Sequence, residues 1–180
     1  MKKLLSLLIT TLLLSGCTLS TKVSAPGFVT SCDQIRLLES AEKSSMMGCL
    51  DGSGEIDFYQ VKGPLLINVW GSWCEGCKQE MPYFVELYQN PLFKSGQIQM
   101  LGINVEEKSK DDAIEYIQKS GMSWPNLEDS SGISKAIFGP GVPVTWFIDE
   151  NGKNIETKIG AYTNKQQLFN QVEKAFGVKL

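Results

Sequence analysis

Apolar positions along the chain follow two rhythms that take turns. Leu65-Leu66-Ile67-Asn68-Val69-Trp70, set off by Gly63-Pro64, is almost continuously apolar, as in a strand buried on both faces of a helix-covered sheet. From Glu75 to about Gln89 the spacing becomes helical, with Met81, Phe84, Val85 and Tyr88 on one side. A strand from Ile98 to Val105, a helix from Lys110 to Ser120 closed by Gly121, an extended piece near Trp124 to Glu128 and a short helix around Ile133 to Phe138 follow. Val144 to Asp149 and Asn154 to Ile159, joined through Asn151-Gly152, read as a hairpin, and Asn164 to Phe176 as a last helix. Upstream, Asp33 to Glu42 reads as a short helix and Met46 to Tyr59, turning at Asp51-Gly52-Ser53-Gly54, as an added hairpin. The alternation predicts an α/β fold in one domain over residues 31–180, with a central mixed sheet flanked by helices and an N-terminal hairpin extension.

The first residues break this rhythm. Met1-Lys2-Lys3 and the apolar run Leu4 to Leu14 have the layout of an export signal, and the run is shorter than the roughly 20 residues a spanning helix needs. It ends in Leu14-Ser15-Gly16-Cys17, which resembles the lipobox of bacterial prolipoproteins. Residues 1–16 are therefore expected to be a lipoprotein signal peptide and Cys17 the lipidated N-terminus; an ordinary signal or an uncleaved anchor is the competing reading. Residues 17–30, rich in Ser, Thr, Pro and Gly, are expected to form a flexible tether. The expected location is extracytoplasmic, lipid-anchored to a bacterial membrane.

Length and charge narrow the classes. A chain of 180 residues, 42% hydrophobic, suits one well-buried domain. With 17 basic and 20 acidic residues, its formal charge of −3 offers no footprint for nucleic acid or anionic lipid. Cleavage after Gly16 takes Lys2 and Lys3 with it and leaves 15 basic residues against 20 acidic.

Five cysteines are present, and a lipid on Cys17 leaves four that pair without remainder in an exported chain. The two-residue gap between Cys74 and Cys77 points to one pair, leaving Cys32 with Cys49 as a structural bridge of about 3 kcal/mol in the chain-entropy account. A second redox relay through Cys32 and Cys49 and a four-thiolate zinc site are the alternatives. The absence of His and the distance between Cys32 and Cys49 weigh against zinc.

Trp73-Cys74-Glu75-Gly76-Cys77 carries the chemistry. A thiol at a helix N-terminus meets unpaired N–H groups and the positive end of the dipole, and both favour thiolate. Cys74 is the expected nucleophile and Cys77, one turn on, the resolving thiol. Glu80 lies a further turn along the same face and could take the proton of Cys77. Far away in sequence, Gly139-Pro140-Gly141-Val142-Pro143-Val144 places a proline directly before an apolar strand.

That loop resembles the cis-proline loop of thioredoxins, and Cys74-Glu75-x-Cys77-Lys78-x-Glu80-x-Pro82 resembles the motif of the TlpA/ResA branch of the superfamily. Asn68 stands where thioredoxin has a buried Asp. The resemblance covers about Met46 to the C-terminus. It implies a thioredoxin-like fold and a thiol-disulfide oxidoreductase whose redox centre is the Cys74–Cys77 disulfide, with no other cofactor and no metal. It further implies that Val142 and cis Pro143 bind substrate backbone beside Cys74, with Trp73, Glu75 and Gly76 completing the contact, and that Glu80 assists proton transfer. The implied partners are protein disulfides, the haem-binding cysteines of apocytochrome c among them, and a membrane thiol-electron transporter as reductant.

One departure is Gly76, where the family usually has Pro, so the potential does not carry over. Glu75 puts a carboxylate beside Cys74 and disfavours thiolate, which favours a reductant over a disulfide-forming oxidase or isomerase. A Cu(I) metallochaperone using the same cysteines is the alternative from another class. A thiol peroxidase is rejected, because Ile67 and Gly71 stand where the Pro and Thr of that motif belong.

Overall fold

The computed structural model describes residues 25–180. The expected signal peptide and Cys17 lie outside the described residues. One seven-stranded mixed sheet organises the chain, in the order β2-β1-β5-β4-β3-β6-β7. Its centre is β3 (Leu65–Trp70), buried at every position, with β4 (Gln99–Val105) parallel on one side and β6 (Val144–Ile148) antiparallel on the other. Beyond β4 comes β5 (Asn126–Asp129), parallel, and then the added hairpin β1 (Met46–Cys49) and β2 (Glu55–Asp57). Strand β7 (Asn154–Ile159) pairs with β6 and forms the other edge, its residues alternately half-buried and exposed. A strand inside the sheet must be apolar on both faces, whereas an edge strand needs only one such face.

Two apolar clusters mark the two faces. Leu66 and Trp70 of β3 pack with α1 (Glu75–Leu87), α3 (Lys110–Ser120) and α5 (Lys165–Phe176). Leu65, Ile67 and Val69 face the opposite cluster, closed by Phe58, by Phe138 of α4 (Ser134–Phe138) and by the Cys32–Cys49 pair. Helix α1 buries Met81, Phe84 and Leu87; each such side chain contributes about 2 kcal/mol by leaving water. Helix α3 starts on Ser109, whose hydroxyl accepts from the N–H of Asp112, and ends at Gly121 with φ 87°, a left-handed residue that suits glycine.

Two local expectations are corrected. The segment Asp33 to Glu42 is not a helix: a 3-10 turn covers Cys32–Gln34, and the chain then runs extended. Its backbone groups are taken by distant partners, Lys62 N–H donating to Arg36 O, Leu38 N–H to Gln60 O and Arg36 N–H to Gln99 Oε1. Tertiary pairing overrides the weak local propensity. The short helix α2 (Pro91–Lys94), capped by Asn90, was not expected. Within the expected tether, Gly27 N–H donates to Gln118 O and Phe28 N–H to Met122 O, so packing begins ahead of residue 31.

Candidate active site

The central strand delivers the site. Trp70 closes β3 with its indole N–H donating to Asn126 Oδ1 at 2.9 Å, in a space where Gly102 allows the approach: a Cβ there would lie 1.7 Å from that oxygen. The chain then turns through Gly71, Ser72 and Trp73. Glu107, two residues past the end of β4, holds the turn by accepting from the N–H of Ser72, from its hydroxyl at 2.7 Å and from Asn104 Nδ2 at 2.8 Å.

Cys74 is the N-cap of α1, its sulfur accepting from the N–H of Cys77 at 3.1 Å. A sulfur receiving a free helix N–H sits where the dipole favours negative charge. Cys74 and Cys77 are joined by a disulfide with Cα atoms 5.3 Å apart. Cys74 keeps 6% of its surface and Cys77 none, so Cys74 is the member of the pair nearer solvent. Glu75 is exposed and lies 3.9 Å from Lys78, a surface ion pair one helical turn long.

Pro143 faces this pair. The Val142–Pro143 bond is cis, and Gly76 seats against the ring, since a Cβ on Gly76 would lie 3.3 Å from Pro143 Cδ and 3.5 Å from Ala161 Cβ. Pro143 O accepts from Gly160 N–H at 2.9 Å, so the loop is fixed from β7. Beside it runs a cleft with Val69 and Phe138 at its base and Trp73, Pro140 and Val142 along its walls, rimmed by the Glu106–Lys135 ion pair. Trp73 is 48% exposed and donates to Val105 O at 3.2 Å, presenting a fixed aromatic surface next to Cys74.

Glu80 is fully buried. One carboxylate oxygen accepts from Tyr162 N–H at 2.8 Å and the other has no partner. Burial pushes its pKa up to about 7, against the opposing pull of the Tyr162 N–H and the Lys158 charge. It is therefore not a solvated surface residue, and its proton affinity is poised for exchange near neutrality. The same burial, with the charges of Glu80 and Glu75, pushes the Tyr116 hydroxyl up to about 12. Asn68 is buried between Gly102 and Thr145, with neither side-chain polar atom partnered.

Cys32 and Cys49 form a second disulfide, 2% and 4% exposed, in the cluster on the sheet face opposite Cys74 and Cys77. Four thiolates do not converge, which removes the zinc alternative. Together with Asp51 this pair is the sole group of three close metal-type donors among the described residues, and both sulfurs are already bonded. Sequence reasoning missed Glu107, Lys158 and Tyr162. Glu107 had a signal of a kind, standing just past the carboxyl end of a parallel strand, where α/β sites gather.

A sequence profile of the AhpC/TSA family matches residues 41–156. The thiol-disulfide oxidoreductase ResA of Geobacillus thermodenitrificans (strain NG80-2) is 33% identical over 108 residues, 59% of this chain and 60% of that protein. ResA of a Bacillus cereus strain is 30% identical over 123 residues, 67% of this chain and 68% of that one. The chain thus spans about 60% of the length of the first of these curated relatives. Among solved structures, StoA from Bacillus subtilis superposes with a TM-score of 0.57 at 23% identity, covering 70% of this chain and 93% of that one, a likeness of fold.

Proposed function

We propose that this chain, which belongs to the AhpC/TSA family and is a TlpA/ResA-like member of it, is a disulfide reductase acting through Cys74 and Cys77 on exported proteins. The observation that carries the reading is the Cys74–Cys77 disulfide at the start of α1, facing cis Pro143 across Gly76. In the reduced protein the Cys74 thiolate attacks one sulfur of a substrate disulfide; an S–S bond forms to Cys74 and the other substrate sulfur leaves as thiolate. Cys77 then gives its proton to Glu80 and attacks Cys74 Sγ, which releases the second substrate thiolate and leaves the Cys74–Cys77 disulfide. Two electrons have passed to the substrate, and a membrane thiol-electron transporter returns them.

Substrate backbone lies along Val142 and Pro143, with Trp73, Glu75 and Gly76 bordering the contact. Pro143 has no N–H to compete for the pairing, and Trp73 supplies apolar contact. The haem-binding cysteines of apocytochrome c are the substrate class that the resemblance to the TlpA/ResA branch implies. Signal cleavage after Gly16 and a lipid on Cys17 would hold the domain at the outer side of a bacterial membrane. Among the described residues no helix is long and apolar enough to cross one. The Cys32–Cys49 bridge is structural in this reading, and the site uses no metal.

The test traps the intermediate. Reduced Cys77→Ser protein mixed with an oxidised Cys-x-x-Cys-His peptide should accumulate a mixed disulfide on Cys74, and Cys74→Ser protein should not. A Cys77→Ser protein that captures no peptide, or captures it on Cys32 or Cys49, would overturn the assignment. Copper titrating onto the reduced pair without disulfide exchange would favour the metallochaperone instead.

A further inference from the structure

Lys158 sits near the end of β7, on the half-buried face of that edge strand, and its side chain turns forward along the chain. The ammonium donates to three successive carbonyls, Ile159 O and Gly160 O at 2.8 Å and Ala161 O at 3.4 Å. It also lies 5.5 Å from the centre of the Tyr162 ring. Three carbonyls pointing at one ammonium define a compact turn, because each would otherwise aim elsewhere or at water. Two contacts of the active site depend on that turn. Ala161 packs against Gly76 between the cysteines, and Tyr162 supplies the N–H that holds Glu80.

We propose that Lys158 is a positioning residue for the proton-transfer carboxylate: by gathering the carbonyls of residues 159–161 it aims the Tyr162 N–H at Glu80 and brings a positive charge to bear on it. The assignment rests on the role given to Glu80 above. Lys158 touches no reacting atom and acts through Glu80. The ionisable groups around the carboxylate are few. Lys158 from β7 favours its ionised form, as does the Tyr162 N–H. The hydroxyls of Tyr116 from α3 and Tyr162 stay neutral, since burial and the Glu80 charge both raise them. Glu75 and the two cysteines share α1 with Glu80. Lys158 is the cation whose charge bears on it.

Carbon-13 NMR of the Glu80 carboxyl, titrated in the oxidised full chain, tests this without any exchange chemistry. Lys158→Met removes the charge and the turn's donor together, so the Glu80 midpoint should rise by about one pH unit, a tenfold change in proton occupancy near neutrality. Lys158→Arg should return it to within a few tenths of a unit of the parent. If Lys158→Met fails to fold, Lys158→Gln, which keeps a donor and loses the charge, should still move the midpoint upward. An unmoved midpoint in a folded Met or Gln variant, or an Arg variant displaced as far as the Met variant, overturns the proposal. In the reduced protein, the pH at which Cys77 resolves a mixed disulfide should move in the same direction as the midpoint. A shift in the carboxyl titration with no exchange activity in the parent would sink the functional reading, and with it the catalytic purpose given to Lys158, leaving only its hold on Glu80; normal exchange with no shift would overturn the Lys158 proposal and leave the functional reading.

Discussion

The two disulfides of this protein close loops of very different size in very different surroundings. Cys74 and Cys77 are three residues apart at the N-terminus of a helix, under a cis-proline loop and beside an aromatic-walled cleft. Cys32 and Cys49 are 17 apart, buried within the apolar cluster on the opposite face, where they tie the N-terminal segment to β1. The first bridge closes almost no loop, so it restrains the unfolded chain little and opens at small cost to the fold. The second restrains a longer segment and lies in the apolar cluster of the opposite face, away from the cis-proline loop. In the function proposed, the same chemical bond is a reagent in one place and a staple in the other. What separates them is a helix dipole, a facing proline loop and a buried carboxylate whose pKa lies near neutrality.

Substitutions should pull the two apart. Cys74→Ser should abolish disulfide exchange with peptide substrates, a loss of at least about a thousandfold, whereas replacing Cys32 and Cys49 together by Ser should leave the exchange rate of folded protein within about twofold. Glu80→Gln should slow the resolving step by about a hundredfold, read by stopped-flow decay of the mixed disulfide, with no effect on the initial attack by Cys74.

The same Glu80 carries a pH signature in stability. Its folded pKa, about 7, lies above the ordinary value of 4.5. Burial thus carries no ionisation penalty while the group is protonated in both states, below about pH 4.5; the penalty grows between about pH 4.5 and 7 and levels off above that. Denaturant unfolding should show the parent losing up to roughly 3 kcal/mol relative to Glu80→Gln across that window. Parallel pH curves for the two proteins would mean that Glu80 is not held as described.

On the other side of the comparison, the double Ser variant of Cys32 and Cys49 should lose about 3 kcal/mol of stability to denaturant. The smallest effect is expected at Gly76. Gly76→Pro suits the first turn of a helix and stiffens the open dithiol more than the closed disulfide, so the potential should fall by about 30 mV or less. Pro143, 3.3 Å from the new Cβ, must yield by a few tenths of an ångström, which limits the gain.

Much of the frame was legible before any coordinates. The almost continuously apolar run of β3, the helix Lys110–Ser120 with its glycine stop and the Asn-Gly hairpin all stand at or within a residue or two of the expected bounds, because local period and turn chemistry agree there with tertiary demand. Residues 33–42 were misjudged because their backbone partners, among them Gln60 and Gln99, lie far away in sequence. The cysteine motif and the proline loop were visible as motifs. The groups that tune them were not: Tyr162 meets Glu80 across 82 residues and Glu107 meets Ser72 across 35, and no local pattern announces such a contact. Nor does spacing alone tell a buried glutamate from an exposed one; the groups that meet Glu80, Tyr162 and Lys158 among them, lie far along the chain.

The most direct test of the contrast between the bridges is a redox titration of the full chain across a dithiothreitol and glutathione series, with thiol trapping and mass spectrometry to read each cysteine pair separately. The account predicts that Cys74 and Cys77 titrate as one two-electron couple near or below the potential of thioredoxin, about −270 mV, while Cys32 and Cys49 stay oxidised beyond about −300 mV. Both pairs opening together, Cys32–Cys49 opening first, or a Cys74–Cys77 potential as high as that of a disulfide-forming oxidase, about −120 mV, would contradict it.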